Sequence, residues 1–339
     1  VELPVGARRP VISDVARAAG VSVPTVSRVL NGTAVVSAHK RDLVLAAVQQ
    51  LGYRPNGAAR ALVTGRPSMV SVLTSNTTHF GYATTIQGIE EAARRAGLIV
   101  AITVIDSEEP AAVAAVVDLV LGQQIAGVVV LEFDRLGTRA LEALPLSLPV
   151  AVVSSWSDGP EVPRVLFDDR QGGWDATSYL LGLGHRTVHH VSVPASGRPS
   201  GRTLGWRAAL HEAGAVVPEV IEADWTTQSG FAAGLILAAT RDCTAVLCGN
   251  DEIAFGVIKA LQRSGRDVPG DVSVVGFDDH PLAAYWSPAL TTVGQDFAQL
   301  GRAALGFLIA RWGGQPGSAP DTGPPQHLIT RDSSGPPRR

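Results

Sequence analysis

Cysteine is nearly absent from this chain of 339 residues: there are two, Cys243 and Cys248. Two thiols cannot make a metal site alone, and Cys248 lies in the apolar run TAVLCGN, so reduced core thiols are expected rather than a bridge. No run of 18 uncharged apolar residues occurs, which excludes a spanning helix of the usual kind. A signal peptide is not expected either: Arg8-Arg9-Pro10 leads straight into a helix-like segment, and a cytoplasmic location follows as the expectation. Enzyme signatures are missing too. There is no GxxxxGK[ST] loop, nucleophile elbow or HExxH, and GLGHRT at 182–187 lacks the third glycine of a dinucleotide fingerprint and precedes an apolar run instead of following one. No nucleophile pairs with a base, so the chain is not expected to be an enzyme. His185, His189 and His190 resemble a metal cluster, but adjacent strand residues point to opposite faces. Neither metal nor cofactor is expected.

What is present is unevenly distributed. A hydrophobic share of 45% with 17% charge describes a folded globular protein, long enough at 339 residues for two or three domains. Residues 1–66 carry nine Lys/Arg against three Asp/Glu, a net of +6, while the remainder carries 19 against 28, a net of −9. A basic head on an acidic body suits a nucleic-acid reader with a separate soluble module.

The head explains its own charge. In residues 12–32, ISDVARAAGVSVPTVSRVLNG, Ser13 is placed to cap a first helix whose Val15, Ala16 and Ala19 share a face. Gly20 permits a turn and Val21 fits the angle between helices. Ser22 is placed to cap a second helix with Pro24 in its first turn; Val26, Val29 and Leu30 face inward, and Asn31-Gly32 stops it. Val23, Pro24, Thr25, Ser27 and Arg28 remain outside. A third helix starts at Ser37, with Val44, Ala47, Val48 and Leu51 at helical spacing. Next, YRPNGAARALVTGRP gives a short Ala-rich helix over 57–63 that Asn56 can cap, too short to be stable by itself in water.

From Met69 strand-like runs alternate with amphipathic stretches: 69–74, 98–105, 127–132, 150–155, 164–169, 187–193, 244–250 and 272–279. One such stretch, 85–96, sets Ile86, Ile89, Ala93 and Ala96 on one face. This is βαβ architecture with parallel sheets buried on both sides, too long for one doubly wound sheet. The Gly/Pro-rich segment 313–325 reads as a loop before a last short strand, HLIT. Ligands in such sheets bind beyond the carboxyl ends of the strands. The residues there are Thr74, Ser75, Asn76, Asp106, Ser154, Ser155, Asn250, Asp251, Asp278 and Asp279, with Gln295 on the later segment TTVGQD. Such a lining suits a neutral, hydroxyl-rich ligand. Phe80 and Tyr82 are further wall candidates. Trp206 reads as core, and Asp279 either caps a turn or touches ligand.

TVSRVLNG, GYRPN, GHR, the GW at 205–206, GND, DVSVVGFDD, LTTVGQD and LITRDSSGPP occur in this order. Together they resemble the lactose/galactose-repressor (LacI/GalR) family of bacterial transcription regulators, from Val11 to about Pro337. The resemblance implies an α-helical helix-turn-helix head followed by α/β, two doubly wound parallel-sheet lobes of periplasmic-binding-protein-like type. The domains expected are a flexible N-terminus 1–10, a DNA-binding domain 11–54, a hinge helix and linker 55–66, a bilobed effector-binding and dimerisation domain 67–337, and a tail 338–339. Ser22, Val23, Pro24, Thr25, Ser27, Arg28 and Asn31, with Asn56, Ala59 and the wedging Leu62 of the hinge, are implied to contact operator DNA. Ser75, Phe80, Ser154, Arg202, Trp225, Asn250, Asp278 and Gln295 are implied to hold the effector. Arg202 stands where the family's sugar-gripping arginine does, and Trp225 where an aromatic stacks on the sugar; Ser154 replaces an aspartate of lactose-repressor-like members. The expected protein is a homodimeric repressor at the bacterial nucleoid, released from a palindromic double-stranded operator by a mono- or disaccharide inducer. A purine-type corepressor and, from another class, a sugar-binding transport or chemotaxis protein are the alternatives. The sign of the response stays open.

Overall fold

The computed structural model describes residues 10–31, 36–54, 67–145, 147–156, 162–194, 197–312, 321–323 and 325–338. The chain divides into two compact units, residues 1–68 and 69–339.

Among its described residues the first unit holds three helices, α1 (Ile12–Ala18), α2 (Val23–Asn31) and α3 (Ala38–Leu51). Val15, Ala16, Ala19, Val26, Val44 and Ala47 form its core, with Val21, Val29, Leu30 and Leu51 packed against it. Ser13 does not cap α1: the helix begins one residue earlier, and Asp14 reaches back to accept the Val11 N–H at 3.0 Å. A carboxylate in the first turn both satisfies an orphan donor and suits the positive end of the helix. Gly20 takes φ +65° at the turn, as a tight reversal requires. Ser22 flanks α2: its carbonyl accepts from Thr25 and Val26, while its hydroxyl lies 2.9 Å from that of Thr25. The expected stop at Gly32, the hinge helix, and Asn56, Ala59 and Leu62 lie outside the described residues.

The second unit is built on two six-stranded sheets. The first lobe has the order β11-β5-β4-β3-β1-β2, from β1 (Met69–Thr74), β2 (Ile99–Val104), β3 (Val128–Glu132), β4 (Val150–Ser154), β5 (Arg164–Leu166) and β11 (Asp321–Thr322). The second has the order β12-β10-β9-β8-β6-β7, from β6 (His189–Ser192), β7 (Ile221–Glu222), β8 (Ala245–Cys248), β9 (Ser273–Asp278), β10 (Thr291–Gly294) and β12 (His327–Ile329). Pairing is parallel except where β12 returns antiparallel to β10. Helices α4 (Phe80–Arg95), α5 (Pro110–Leu121), α6 (Arg135–Ala143) and α11 (Phe297–Trp312) serve the first lobe. Helices α7 (Asp169–Gly182), α8 (Gly201–Glu212), α9 (Thr227–Ala239) and α10 (Asp251–Arg263) serve the second. The chain therefore passes between lobes three times: after β5, after β10 and after β11.

Three expectations need correction. The helix read over 85–96 begins at Phe80, because GYATT carries no apolar stripe to betray it. Strand β11 lies inside the segment read as loop; two residues, paired to Val165 and Leu166, are too few for any alternation. The first sheet is not buried throughout: its edge strand β2 leaves Ile99 66% and Ile102 47% exposed. An apolar run reads the same whether protein or water covers it.

Candidate functional site

The carboxyl ends of the strands of both lobes face a cleft with about 620 Å³ of empty space. Its charged centre comes from α7 and α8. These helices approach closely because they lack side chains at the contact: a Cβ on Gly173 would fall on the Arg202 carbonyl, and one on Gly205 on the Arg170 carbonyl. That approach sets Arg202, the second residue of α8, beside Asp169, the first residue of α7. The Arg202 Nε lies 3.3 Å from Asp169 Oδ2, and its Nη2 lies 2.9 Å from Asp278 Oδ1. Nη1 donates to the Gly249 carbonyl, and the guanidinium lies 4.0 Å over the Phe277 ring. Among the described residues these contacts engage all three nitrogens of the guanidinium.

Asp278 ends β9 with φ +104°, a strained backbone for a non-glycine residue. The bend turns consecutive aspartates apart. Asp278 lines the cleft, whereas Asp279 pairs with Arg331 at 2.7 Å, which answers the question of its role. Burial pushes the Asp278 carboxyl up to about 7, although Arg202 opposes the shift. Asp251 lies deeper, accepting from the Thr292 hydroxyl and the His280 N–H at 2.6 Å each, and burial raises its carboxyl well above the usual range.

Of the sequence-derived candidates, the structure brings Phe80, Tyr82, Ser155, Arg202, Trp225, Asn250 and Asp278 together on the cleft wall. Asn250 also caps α10, accepting the Ile253 N–H at 2.8 Å, and its amide donates to the Trp225 carbonyl at 3.3 Å. Ser75, Ser154 and Gln295 stand one layer back. Ser75 bonds to Asp134 and to the Tyr82 hydroxyl, which itself donates to Asp134 at 2.8 Å. Burial and the Asp134 charge raise the Tyr82 phenol, keeping it a neutral donor. Ser154 accepts the Trp156 N–H at 2.9 Å. Gln295, just beyond β10, donates to Asp278 at 2.9 Å and Asp169 at 3.3 Å, and accepts from Gln326 at 3.0 Å. These amides join all three inter-lobe crossings to the ion cluster. Asp106, expected at the site, is exposed and away from the cleft.

Sequence reasoning missed Asp169 and most of the aromatic wall, including Phe133, Trp156, Phe167 and Phe297. Asp168 and Asp169 lie just beyond β5 as Asp278 and Asp279 lie at the end of β9, so the strand-end rule held the signal. Asp168 takes the capping role, accepting from Gln171 N, and leaves Asp169 to the cleft. Trp206 is core, fully buried with its indole donating to the Val188 carbonyl at 2.8 Å. His190 stacks on it, hydrogen-bonded to Leu247 O and Thr203, and burial drives its imidazole down to about 4. Among the described residues no group of three or more His, Cys, Asp or Glu could hold a metal ion. Both thiols are free and buried, and burial pushes Cys243 up to about 12.

In the first unit α2 buries Val26 and presents Ser22, Val23, Pro24 and Arg28 to the outside; Thr25 and Ser27 are half-buried. This is a surface of small residues ending in a cation.

Residues 11–56 match the bacterial regulatory proteins of the lacI family, and residues 177–334 match a periplasmic binding protein-like domain. The chain is 32% identical to catabolite control protein A of Priestia megaterium, over 88% of this chain and 91% of that one. It is likewise 32% identical to the HTH-type transcriptional repressor PurR of Vibrio campbellii, over 88% and 91%. Among solved structures it resembles the lac repressor dimer bound to operator and the anti-inducer ONPF, with a TM-score of 0.87 and 28% identity over 97% of this chain and all of that one. A complex of the transcriptional regulator CelR with cellobiose gives 0.71 and 30% identity over 96% of this chain and all of the other.

Proposed function

The chain belongs to the lacI family of bacterial regulatory proteins, and on that premise we propose that it is a homodimeric, cytoplasmic repressor released from its operator by a mono- or disaccharide held in the cleft. One observation carries the effector reading: Arg202, fixed by Asp169 and Asp278, lies in a cleft walled by aromatic rings. Paired carboxylates and a guanidinium match vicinal hydroxyls, which both donate and accept, and aromatic faces match the C–H faces of a sugar ring. The transcriptional regulator CelR, to which this chain is similar, forms a complex with cellobiose.

In this reading residues 11–54 read DNA, 55–66 serve as the hinge and 67–337 bind effector and dimerise. On α2, Val23, Pro24 and Arg28 face base edges in the major groove, while Ser22, Thr25, Ser27 and Asn31 set register on phosphates. Asn56, Ala59 and Leu62 serve the hinge, with Leu62 wedging the minor groove. Ligand on Arg202 and Asp278 also bears on Gln295 and Gln326, so effector binding acts directly on the crossings that set how the lobes close. A differential affinity of about 1–3 kcal/mol between the two closures is enough to switch operator binding. The protein acts by binding, not by catalysis.

The test joins two measurements on the full chain. Thermal unfolding is followed with D-glucose, D-galactose, cellobiose, lactose, maltose, hypoxanthine and guanine, since a ligand bound only by the folded state raises the midpoint. Operator binding is then titrated with whichever compound stabilises. A sugar that stabilises and releases DNA supports the proposal; stabilisation by a nucleobase alone overturns it.

A further inference from the structure

The cleft offers more recognition surface than the Arg202 cluster occupies. Trp156 follows β4 on the first lobe and is held from behind at both backbone ends. Its N–H donates to Ser154 Oγ at 2.9 Å, and its carbonyl accepts from Arg164 Nη1 at 3.5 Å. Arg164 is in turn locked by Glu132, an ion pair buried at both ends. Neither member of that pair lines the cleft. A buried pair offers little net stability over apolar side chains, so its place behind Trp156 points to positioning.

From the other lobe Arg198, on the segment before α8, lays its guanidinium 4.6 Å over the indole. The indole N–H is buried and finds no hydrogen-bond partner among the described residues, although Trp156 lines the cleft. A buried donor without an acceptor is unfavourable until something supplies one.

We infer that Trp156 and Arg198 form a second ring-binding subsite, so that the effector is a disaccharide or another two-ring glycoside instead of a free monosaccharide. The inference rests on the sugar reading above. One ring lies on Arg202, Asp169 and Asp278 beside Trp225. The second ring meets Trp156, where a hydroxyl or ring oxygen accepts the indole N–H, and Arg198 donates to the same ring from the opposite lobe. A two-ring ligand therefore ties the lobes together at two places and a single ring at one.

The experiment compares cellobiose, lactose and maltose with D-glucose and D-galactose by calorimetric titration of the full chain, in the wild type, Trp156→Phe and Trp156→Ala. Ligand-free unfolding midpoints confirm that each variant folds, and the phenylalanine variant keeps the ring while deleting the N–H. The expected result is that one disaccharide binds at least tenfold more tightly than either monosaccharide. Trp156→Phe then weakens that disaccharide by about tenfold, the scale of one buried hydrogen bond, Trp156→Ala weakens it further, and each variant weakens the disaccharide by a larger factor than either monosaccharide. Equal weakening of both sugar sizes, or none, overturns the subsite and leaves the sugar reading standing. Absence of binding by every sugar overturns both.

Discussion

Arg202 carries the geometry of the candidate site at the scale of single residues. Its side chain is 7% exposed and its two carboxylate partners are equally enclosed. Arg202→Ala leaves Asp169 and Asp278 buried without their cation, an expected loss of about 3–5 kcal/mol of folding stability measurable by urea unfolding. Asp278 sets a pH dependence of its own. Its carboxyl titrates near 7 in the folded protein, whereas an unfolded aspartate titrates at about 3.9. Between those values the folded chain retains a proton that the unfolded chain has released. This contribution is therefore fully present below about pH 4 and is lost as the pH rises through 7. Unfolding midpoints recorded from pH 4 to 8 should fall more steeply in the wild type than in Asp278→Asn; parallel curves would assign the slope to other groups. Residue types at strand ends made Asn250 and Asp278 legible in the sequence, whereas Arg202 came only from the family resemblance. Asp169 was hidden because two adjacent aspartates follow β5 and nothing local says which one caps the helix. Ser75, Ser154 and Gln295 show the complementary limit, since position beyond a strand does not say whether a side chain faces the cleft or the layer behind it.

At the scale of elements, apolar periodicity was enough to locate α1, α2 and α3 and all the long strands. It failed where the element is held by something other than its own pattern. Strand β11 exists only because β5 offers an edge, and the first turns of α4 are aromatic and polar because they face the cleft. The approach of α7 to α8, which creates the ion cluster, depends on Gly173 and Gly205, and bare backbone leaves no hydrophobic trace. For α2 the outward face supports a sharp expectation. Arg28→Ala should weaken specific operator binding by about 1–3 kcal/mol while leaving non-specific DNA binding nearly unchanged, as removal of a base-reading arginine does. Competition titrations with operator and random duplex measure both quantities, and equal losses would place Arg28 on phosphate.

At the scale of the whole molecule, charge and function divide along the chain. The net +6 of residues 1–66 stands against −9 for the rest. Deletion of residues 1–66, leaving the second compact unit, should abolish retention on random duplex DNA at low salt, whereas the full chain elutes with a steep salt dependence. Retention by the truncated protein would place the nucleic-acid surface elsewhere. The lobes do not follow the chain in the same simple way. The first sheet starts at Met69, yet it gains its last strand at Asp321–Thr322 and is covered by α11, Phe297–Trp312. During vectorial synthesis that lobe cannot close until most of its neighbour has already left the ribosome. A frameshift or stop near the end of the message therefore damages the earliest-made sheet as well as the latest, and a nascent-chain protease assay should find Met69–Leu166 still cleavable until residues beyond 322 have emerged.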